Sequence, residues 1–310
     1  MIDQAIIIRD KTRLEQLIER FNSKAQARFY IERSGGNFLS YEEEHQTFYQ
    51  SLDRVTRSLG SHIRYKNILR EYLPSFIFSA NQVILVLGQD GLVANAAKYV
   101  ENQPIIGINP DPVRYDGILL PFSPDNFLTG LKQVLDNGYT AGYVTMAEAK
   151  LKDGQKLLAF NDLFIGPATH RSARYELRYR GKAEVQSSSG IIVSTGAGST
   201  GWLSSVFNMA QSVSQAFSGK MFLPTPTLPW NTDELVFVVR EPFLSRHSEI
   251  SLTAGKILKR ERLEIESRMP QQGVIFSDGI ESDFLRFDSG AIAGIGIADQ
   301  QACLVRNTLP

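Results

Sequence analysis

The sequence lacks several things, and each absence excludes a class of protein. Cysteine occurs once, at Cys303. No disulfide can therefore form within the chain, and a reducing compartment is the expectation. No apolar run approaches the ~18 residues that a membrane-spanning helix needs. The start of the chain has no basic, apolar, small-residue leader, so a cytoplasmic protein is expected. Neither sign of charge prevails: 33 Lys and Arg stand against 33 Asp and Glu. Global charge thus gives no reason to expect a nucleic-acid or membrane partner. The four histidines, His45, His62, His170 and His247, show no i, i+4 ligand pair, and no metal-binding side-chain set is expected. A Gly-x-Ser-x-Gly nucleophile elbow and a Gly-Lys-Ser/Thr phosphate loop are both missing. So are internal repeats and low-complexity tracts.

What is present is an ordinary globular composition of 43% apolar and 21% charged residues over 310 positions, enough for two domains with a sizeable core. The first part alternates strand and helix patterns. Ala5–Ile8 reads as a strand. Thr12-x-x-Glu15 reads as a capping box before Leu14, Leu17, Ile18 and Phe21 at helical spacing. Ser40-x-x-Glu43 reads as a second box before Phe48, Leu52, Val55 and Leu59. Strands follow at 62–65, 83–87 and 104–108. A helix is then expected from Ser123 as N-cap with Pro124 at its first position, closed by Asn137-Gly138. This alternation predicts a doubly wound, Rossmann-like α/β domain over 1–138. From Tyr139 the texture changes to short strands separated by Gly, Pro, Asp, Asn and Ser turns, 250–252 among them, with one helical patch from Trp202 to about Ala216. Residues 139–310 are expected to form a mainly β, sandwich-like domain, with its last residues free to pack back on the first.

Three stretches carry chemistry. In the first, the wholly apolar run Val83–Leu87 enters Gly88-Gln89-Asp90-Gly91 and then a helical pattern. A strand buried on both faces that ends in a glycine turn is where open α/β sheets bind ligands. Gly88 and Gly91 let a phosphate approach the backbone, and Asp90 could accept a hydroxyl proton or help hold Mg²⁺. An ordinary βα turn with a capping aspartate fits the same residues. In the second, Asn161-Asp162 interrupts apolar strand residues, so a strand end or irregularity is expected. The pair could read a base and a ribose edge, or simply make a hairpin. In the third, Gly190–Ser194 opens into Thr195-Gly196-Ala197-Gly198-Ser199-Thr200-Gly201-Trp202, whose glycines, hydroxyls and free amides suit a nucleotide.

Taken together and in this order, the three stretches resemble the NAD kinase family. That family reads Gly-Gly-Asp-Gly-Thr, then Asn-Glu, then Thr-x-Thr-Gly-Ser-Thr-Ala. The likeness is closest to the branch with the mitochondrial NAD kinases. Its further marks are Lys11-Thr12-Arg13-Leu14-Glu15, Asn109-Pro110-Asp111-Pro112 through Leu120-Pro121, Phe164-Ile165-Gly166, Arg171–Tyr175, Ser188-Ser189-Gly190, Arg240-Glu241-Pro242 and Ser277-Asp278-Gly279. The resemblance implies an α/β domain and an all-β domain with the site in the cleft between them. It implies transfer of the ATP γ-phosphoryl group, with Mg²⁺, to the 2′-hydroxyl of the adenosine ribose of NAD. Asp90 would be the base or hydroxyl-orienting group, with Gly88, Gln89 and Gly91 at the phosphates. Asn161 and Asp162 would hold the adenosine, while Ala197, Thr200, Gly201 and Trp202 would line the adenine pocket. A homodimer or homotetramer is implied by the resemblance alone.

Four positions depart from the family pattern. Gln89 replaces the second glycine and Leu92 the threonine. Asp162 is one methylene shorter than glutamate, and Gly201 ends the hydroxyl loop. Gln89 and Leu92 both alter the phosphate end, which keeps two other readings open: a non-catalytic nucleotide-binding protein on the same fold, or a kinase of another nucleotide, sugar or lipid hydroxyl. Elsewhere, the basic run Arg171, Arg174, Arg178, Arg180 and Lys182 reads as a solvated face. Phe217, Phe222 and Phe243 read as core.

Overall fold

The computed structural model describes residues 2–219 and 226–307. The chain divides into two compact units, one of residues 1–142 and 303–310 and one of residues 143–302.

The first unit contains β1 (Gln4–Arg9), α1 (Arg13–Phe21), α2 (Lys24–Arg33), α3 (Leu39–Gly60), β2 (Arg64–Leu69), β3 (Gln82–Leu87), α4 (Asp90–Ala97), β4 (Pro104–Ile108) and α5 (Phe127–Leu135). The strands pair in the order β2-β1-β3-β4, all parallel. Every residue of β3 and β4 is buried, as expected of strands covered on both faces. Ala5 and Ile7, Val83, Leu85 and Leu87, Ile106 and Ile108 pack with Phe48, Leu52, Val55 and Leu59 of α3 and with Phe127, Leu131 and Val134 of α5. From β1 the chain moves outward to β2 and then returns to the other side of β1 with β3. The strand order therefore reverses between β1 and β3, the place where such sheets accept ligands.

Several sequence expectations shift here. Thr12 does form the capping box with Glu15. The second helix starts at Leu39 with no side-chain cap from Ser40; the Ser40 hydroxyl instead donates to the Asn37 carbonyl from inside the first turn. A further helix, α2, begins after Ser23, whose side chain accepts from the Gln26 N–H. Its outer residues Phe29 and Tyr30 are exposed, which blurs the apolar stripe. The last helix starts after Asn126, three residues beyond Ser123, because the Asn126 carboxamide accepts the Ser123 N–H and closes a turn over the Pro124 site. At its far end Asn137 takes a left-handed conformation and the Gly138 N–H donates to the Gln133 carbonyl, as expected of that pair.

The second unit contains most of β5 (Ala141–Leu151), β6 (Lys156–Ala159), β7 (Asp162–Pro167), β8 (Ala173–Tyr179), β9 (Lys182–Ser188), β10 (Ile191–Ser194), α6 (Trp202–Ser218), β11 (Glu234–Val239), β12 (Ala254–Leu258), β13 (Leu263–Ser267), β14 (Gly273–Ser277), β15 (Ile280–Arg286) and most of β16 (Ile292–Val305). One sheet carries β16-β13-β8-β9, with β5 against β16 and β6. The other runs β12-β11-β10-β7-β14-β15, antiparallel throughout. Tyr175, Leu177, Leu263 and Ile265 of one sheet and Ile165, Ile191, Val193 and Phe237 of the other share one core. This is a sandwich. The last residues of β16 belong to the first unit, where Cys303 and Leu304 pair parallel with Pro104 and Ile105.

The strand expected at 250–252 is absent. Pairing begins instead at Ala254, where the alternation of β12 meets β11. Phe217 and Phe243 are 89% and 64% exposed, so neither is core; Phe222 lies outside the described residues. Phe217 sits on the outer face of α6, which buries Leu203 alone and exposes Met209 and Val213 as well. The basic strand face is surface, as expected: Arg178 bridges Glu176, Glu264 and Glu266 across β8 and β13.

Candidate active site

In the first unit, a cavity of about 220 Å³ opens at the carboxyl ends of β1 and β3. Asp10, Lys11, Thr12 and Arg13 line it from the β1 side, Gly88, Gln89, Gly91 and Leu92 from the β3 side, and Arg70 and Asp111 from the loops. Gln89 takes the cap position of α4 in extended backbone, and its side chain makes no cap hydrogen bond. The first amides of α4 therefore have no side-chain cap, the usual setting for an anion. The cations around the cavity are already partnered. Lys11 meets Glu19 at 2.7 Å and Glu71 at 3.2 Å, and these bonds hold its ammonium above the usual lysine range. Arg13 pairs with Glu44, and Arg70 reaches Asp10 at 3.0 Å.

Asp90 opens α4 but does not line this cavity. Its Oδ1 accepts the Leu119 N–H at 2.7 Å. The segment carrying Leu119 folds back on the end of β4, where Asn109 N–H donates to Phe122 O and Phe122 N–H to Gly107 O. The stretch Asn109–Pro121, one of the marks of the family resemblance, thus fixes the carboxylate of Asp90. Leu92, where the family has threonine, is 4% exposed. Its Cδ2 would lie 2.9 Å from a Cβ added at Gly88, so it fills the space beneath the turn.

In the second unit, a cavity of about 380 Å³ is lined by Asn161, Asp162, Ala197, Gly198, Thr200, Gly201, Trp202, Phe276, Asp278 and Gly279. All six residues expected at the acceptor site meet here, although they come from two stretches about 35 residues apart. The cause is register. Asn161 falls between β6 and β7, and Asp162 opens β7 opposite Ser194, the last residue of β10. The Thr195 N–H then donates to Asn161 O at 2.9 Å, and the Thr195 hydroxyl donates to Phe160 O at 2.6 Å. A Cβ added at Gly198 would overlap Asn161 O and stand 2.8 Å from Asp162 Oδ1; only glycine lets the loop approach so closely. Trp202 stacks on Phe164 at 5.7 Å with an 11° tilt, and the Arg240 guanidinium lies 5.4 Å over its ring.

Asp278 is the residue to which the sequence assigned no role. Asp278 and Gly279, both in left-handed backbone, form a two-residue hairpin between β14 and β15. This is the Asp-Gly signature of a type I′ turn, legible in the sequence as a turn but not as a clamp. Its carboxylate accepts three successive amides, from Phe160 at 3.0 Å, Asn161 at 2.6 Å and Asp162 at 3.2 Å. Its own N–H donates to Asp162 O at 2.9 Å. Asp162 is pushed up to about 7, first by burial and then by the Asp278 charge, against an opposing hydrogen bond from Ser194. Its Oδ1 is buried with no hydrogen-bond partner.

No family model matches the chain. Over 125 residues it is 32% identical to a protein named NAD kinase from Chlorobium limicola, a match covering 39% of this chain and 42% of that one. A Chlorobium phaeobacteroides NAD kinase matches at 33% over 121 residues, 37% and 41% of the two chains. The chain thus spans about two-fifths of the length of these relatives. In structure it resembles yeast NADH kinase complexed with NADH, with a TM-score of 0.60 and 15% identity over 99% of this chain and 84% of that one. It also resembles an Archaeoglobus fulgidus NAD kinase in complex with ATP, with a TM-score of 0.56 and 17% identity over 98% and 94%. The chain is a relative of the NAD kinases. The likeness drawn from its motifs stands at the level of the family, and the α/β unit followed by a β sandwich is the fold of these NAD kinase neighbours.

Proposed function

We propose that this protein is an NAD kinase, transferring the γ-phosphoryl group of ATP to the 2′-hydroxyl of the adenosine ribose of NAD. The observation that carries this reading is the convergence of Asn161, Asp162, Ala197, Thr200, Gly201 and Trp202 on one cavity, in a chain related to NAD kinases. The adenosine of NAD occupies that cavity, with its base against Trp202. The triphosphate lies at Gly88, Gln89 and Gly91, where the uncapped amides of α4 meet it and Lys11, Arg13 and Arg70 exchange their carboxylate partners for its oxygens. As the ribose oxygen bonds to the γ-phosphorus, the bond from that phosphorus to the β,γ-bridging oxygen breaks and ADP leaves. The hydroxyl proton passes to Asp90, whose carboxylate the Leu119 N–H holds in place.

Among the described residues no group of three or more His, Cys, Asp or Glu could hold a metal ion. Mg²⁺ arrives with ATP, keeps several waters and needs one or two carboxylates at most. Asp10 and Asp111 line the cavity and could supply them. When bound, the ion neutralises charge on the phosphates. No described helix is long and apolar enough to cross a membrane, and we place the protein in the cytoplasm. The uncharged outer face of α6, with Met209, Val213 and Phe217 exposed, supports assembly as a homodimer or homotetramer, which light scattering would weigh directly.

The test is ADP and NADP formation from Mg-ATP with NAD or NADH, beside Asp90→Asn. General-base assistance contributes ~10²–10⁴ in rate, so turnover should fall by about that factor while NAD binding persists. Asparagine keeps the oxygen that accepts from Leu119. Unchanged turnover would remove Asp90 as the base. NAD binding with no turnover in the parent protein would leave a binding protein, not a kinase.

A further inference from the structure

We propose that Asn95 is the positioning residue that aims Arg70 at the phosphates of the donor. The inference rests on reading the first-unit cavity as the triphosphate site.

Asn95 is out of keeping with its helix. Its neighbours Leu92, Val93, Ala94, Ala96 and Ala97 are apolar and buried, and Asn95 itself is 3% exposed. Alanine or leucine would suit such a place and form helix better. Asn95 caps neither end of α4, whose flanking residues are Gln89 and Lys98. Its Nδ2 is buried with no hydrogen-bond partner, and a buried donor left unmet destabilises a fold. Among the described residues, its side chain has one partner. Arg70 Nε donates to Asn95 Oδ1 at 3.3 Å. Turning the carboxamide over would set two donors face to face, so the orphaned Nδ2 follows from serving Arg70.

Arg70 stands where an anion-binding group is needed. The strands β2, β1 and β3 are neighbours and parallel. Arg70 follows β2, Asp10 follows β1 and Gly88 follows β3, and all three residues line the cavity. Arg70 Nη1 donates to Asp10 Oδ2 at 3.0 Å. The guanidinium is thus gripped twice, by a charged carboxylate and by a neutral carboxamide. The two grips differ when a triphosphate arrives. Its oxygens compete with Asp10 for Nη1. They do not reach the bond to Nε, because Asn95 lies outside the cavity lining. Arg70 therefore exchanges Asp10 for phosphate and keeps its direction, with Nη1 and Nη2 presented as a fork. An arginine ordered beforehand loses less freedom on binding. Lys11 and Arg13 have no such hold: the hydrogen-bond and ion-pair partners of their side chains are carboxylates alone.

The experiment is calorimetric titration of the full chain with Mg-ATP. It compares the parent, Asn95→Ala, Arg70→Ala and Arg13→Ala with the two double variants that join Asn95→Ala to each arginine change. Asn95→Ala should weaken Mg-ATP binding about two- to tenfold, the range that ordering one long side chain carries. In the Arg70→Ala background the same change should weaken it no further. In the Arg13→Ala background the two losses should multiply. A purely structural role would weaken binding by the same factor in both backgrounds. Parental affinity in Asn95→Ala, or an equal loss in both backgrounds, overturns the proposal and leaves the cavity a triphosphate site. A parent that binds no Mg-ATP overturns the donor-site reading, and the proposal falls with it.

Discussion

The Cα of Gly198 lies against the carbonyl of Asn161, close enough that a methyl group there would overlap it. The atom that would be struck is backbone, fixed by the Thr195 N–H from one side and by the Asp278 clamp, which accepts the Asp162 N–H of the same peptide. Little can give way. Gly198→Ala should therefore displace the Asn161–Asp162 corner and lower NAD affinity by at least tenfold, while far-ultraviolet dichroism stays unchanged. Wild-type affinity in the variant would mean that the loop does not set the corner.

A second prediction concerns Leu92. Its buried side chain occupies the space under Gly88. Leu92→Thr trades methyl groups for a hydroxyl and should cost about 2 kcal/mol in urea denaturation. Gly88→Ala should cost stability in the parent because the new methyl meets Leu92 Cδ2, and less in the Leu92→Thr background. A double-mutant cycle measures that coupling; additive costs would show that Leu92 does not fill the turn. The same variant restores the hydroxyl of the family pattern, so its KM for ATP shows whether Leu92 weakens donor binding.

How much of this could be read from the chain depends on the kind of signal. The buried strand Val83–Leu87 and the turn after it were legible, because a wholly apolar run has few other uses. The acceptor cavity was legible as composition, since Asn161, Asp162 and the hydroxyl loop each stood out. The register that joins them was not: pairing between Asp162 and Ser194 is a property of two strands, not of either segment. Asp278 was hidden for a related reason. An Asp-Gly turn announces a hairpin, but the three amides it clamps lie well over a hundred residues away. Helix starts failed at Ser40 and Ser123 because asparagine side chains at 37 and 126 took the local hydrogen bonds. Phe217 misled because an exposed apolar helix face has the same pattern as a buried one.

A third prediction follows from Asp162 by linkage. Its folded value near 7 stands above the ordinary 3.8, so the folded state holds the proton more tightly than the unfolded chain. The contribution of this group to stability is therefore full below about pH 4, falls as pH rises toward 7, and is level above that. Asp162→Asn cannot ionise and escapes the fall. Relative to the parent, it should gain roughly 2–3 kcal/mol between pH 5 and pH 8, read from urea denaturation at the two values. A stability difference that stays constant across that range would place Asp162 in the ionised state throughout.

The last prediction concerns Trp202, which lies at the start of α6 between two aromatic neighbourhoods. One face of the indole is held by Phe164, itself packed on Phe276 at 4.8 Å and seated over Gly166 and Gly190, where any side chain would meet its ring. Trp202 also lines the second cavity, and the Arg240 guanidinium lies 5.4 Å from the centre of its ring. Stacking of a base on an aromatic side chain contributes ~1–3 kcal/mol, so Trp202→Ala should weaken NAD binding about ten- to hundredfold, and Trp202→Phe by much less. The chain has only one other tryptophan, Trp230. If the adenine stacks at this position, NAD quenches part of the tryptophan emission in the parent, and Trp202→Phe removes that quench while Trp230 still emits. A quench that survives Trp202→Phe undiminished would place the base elsewhere.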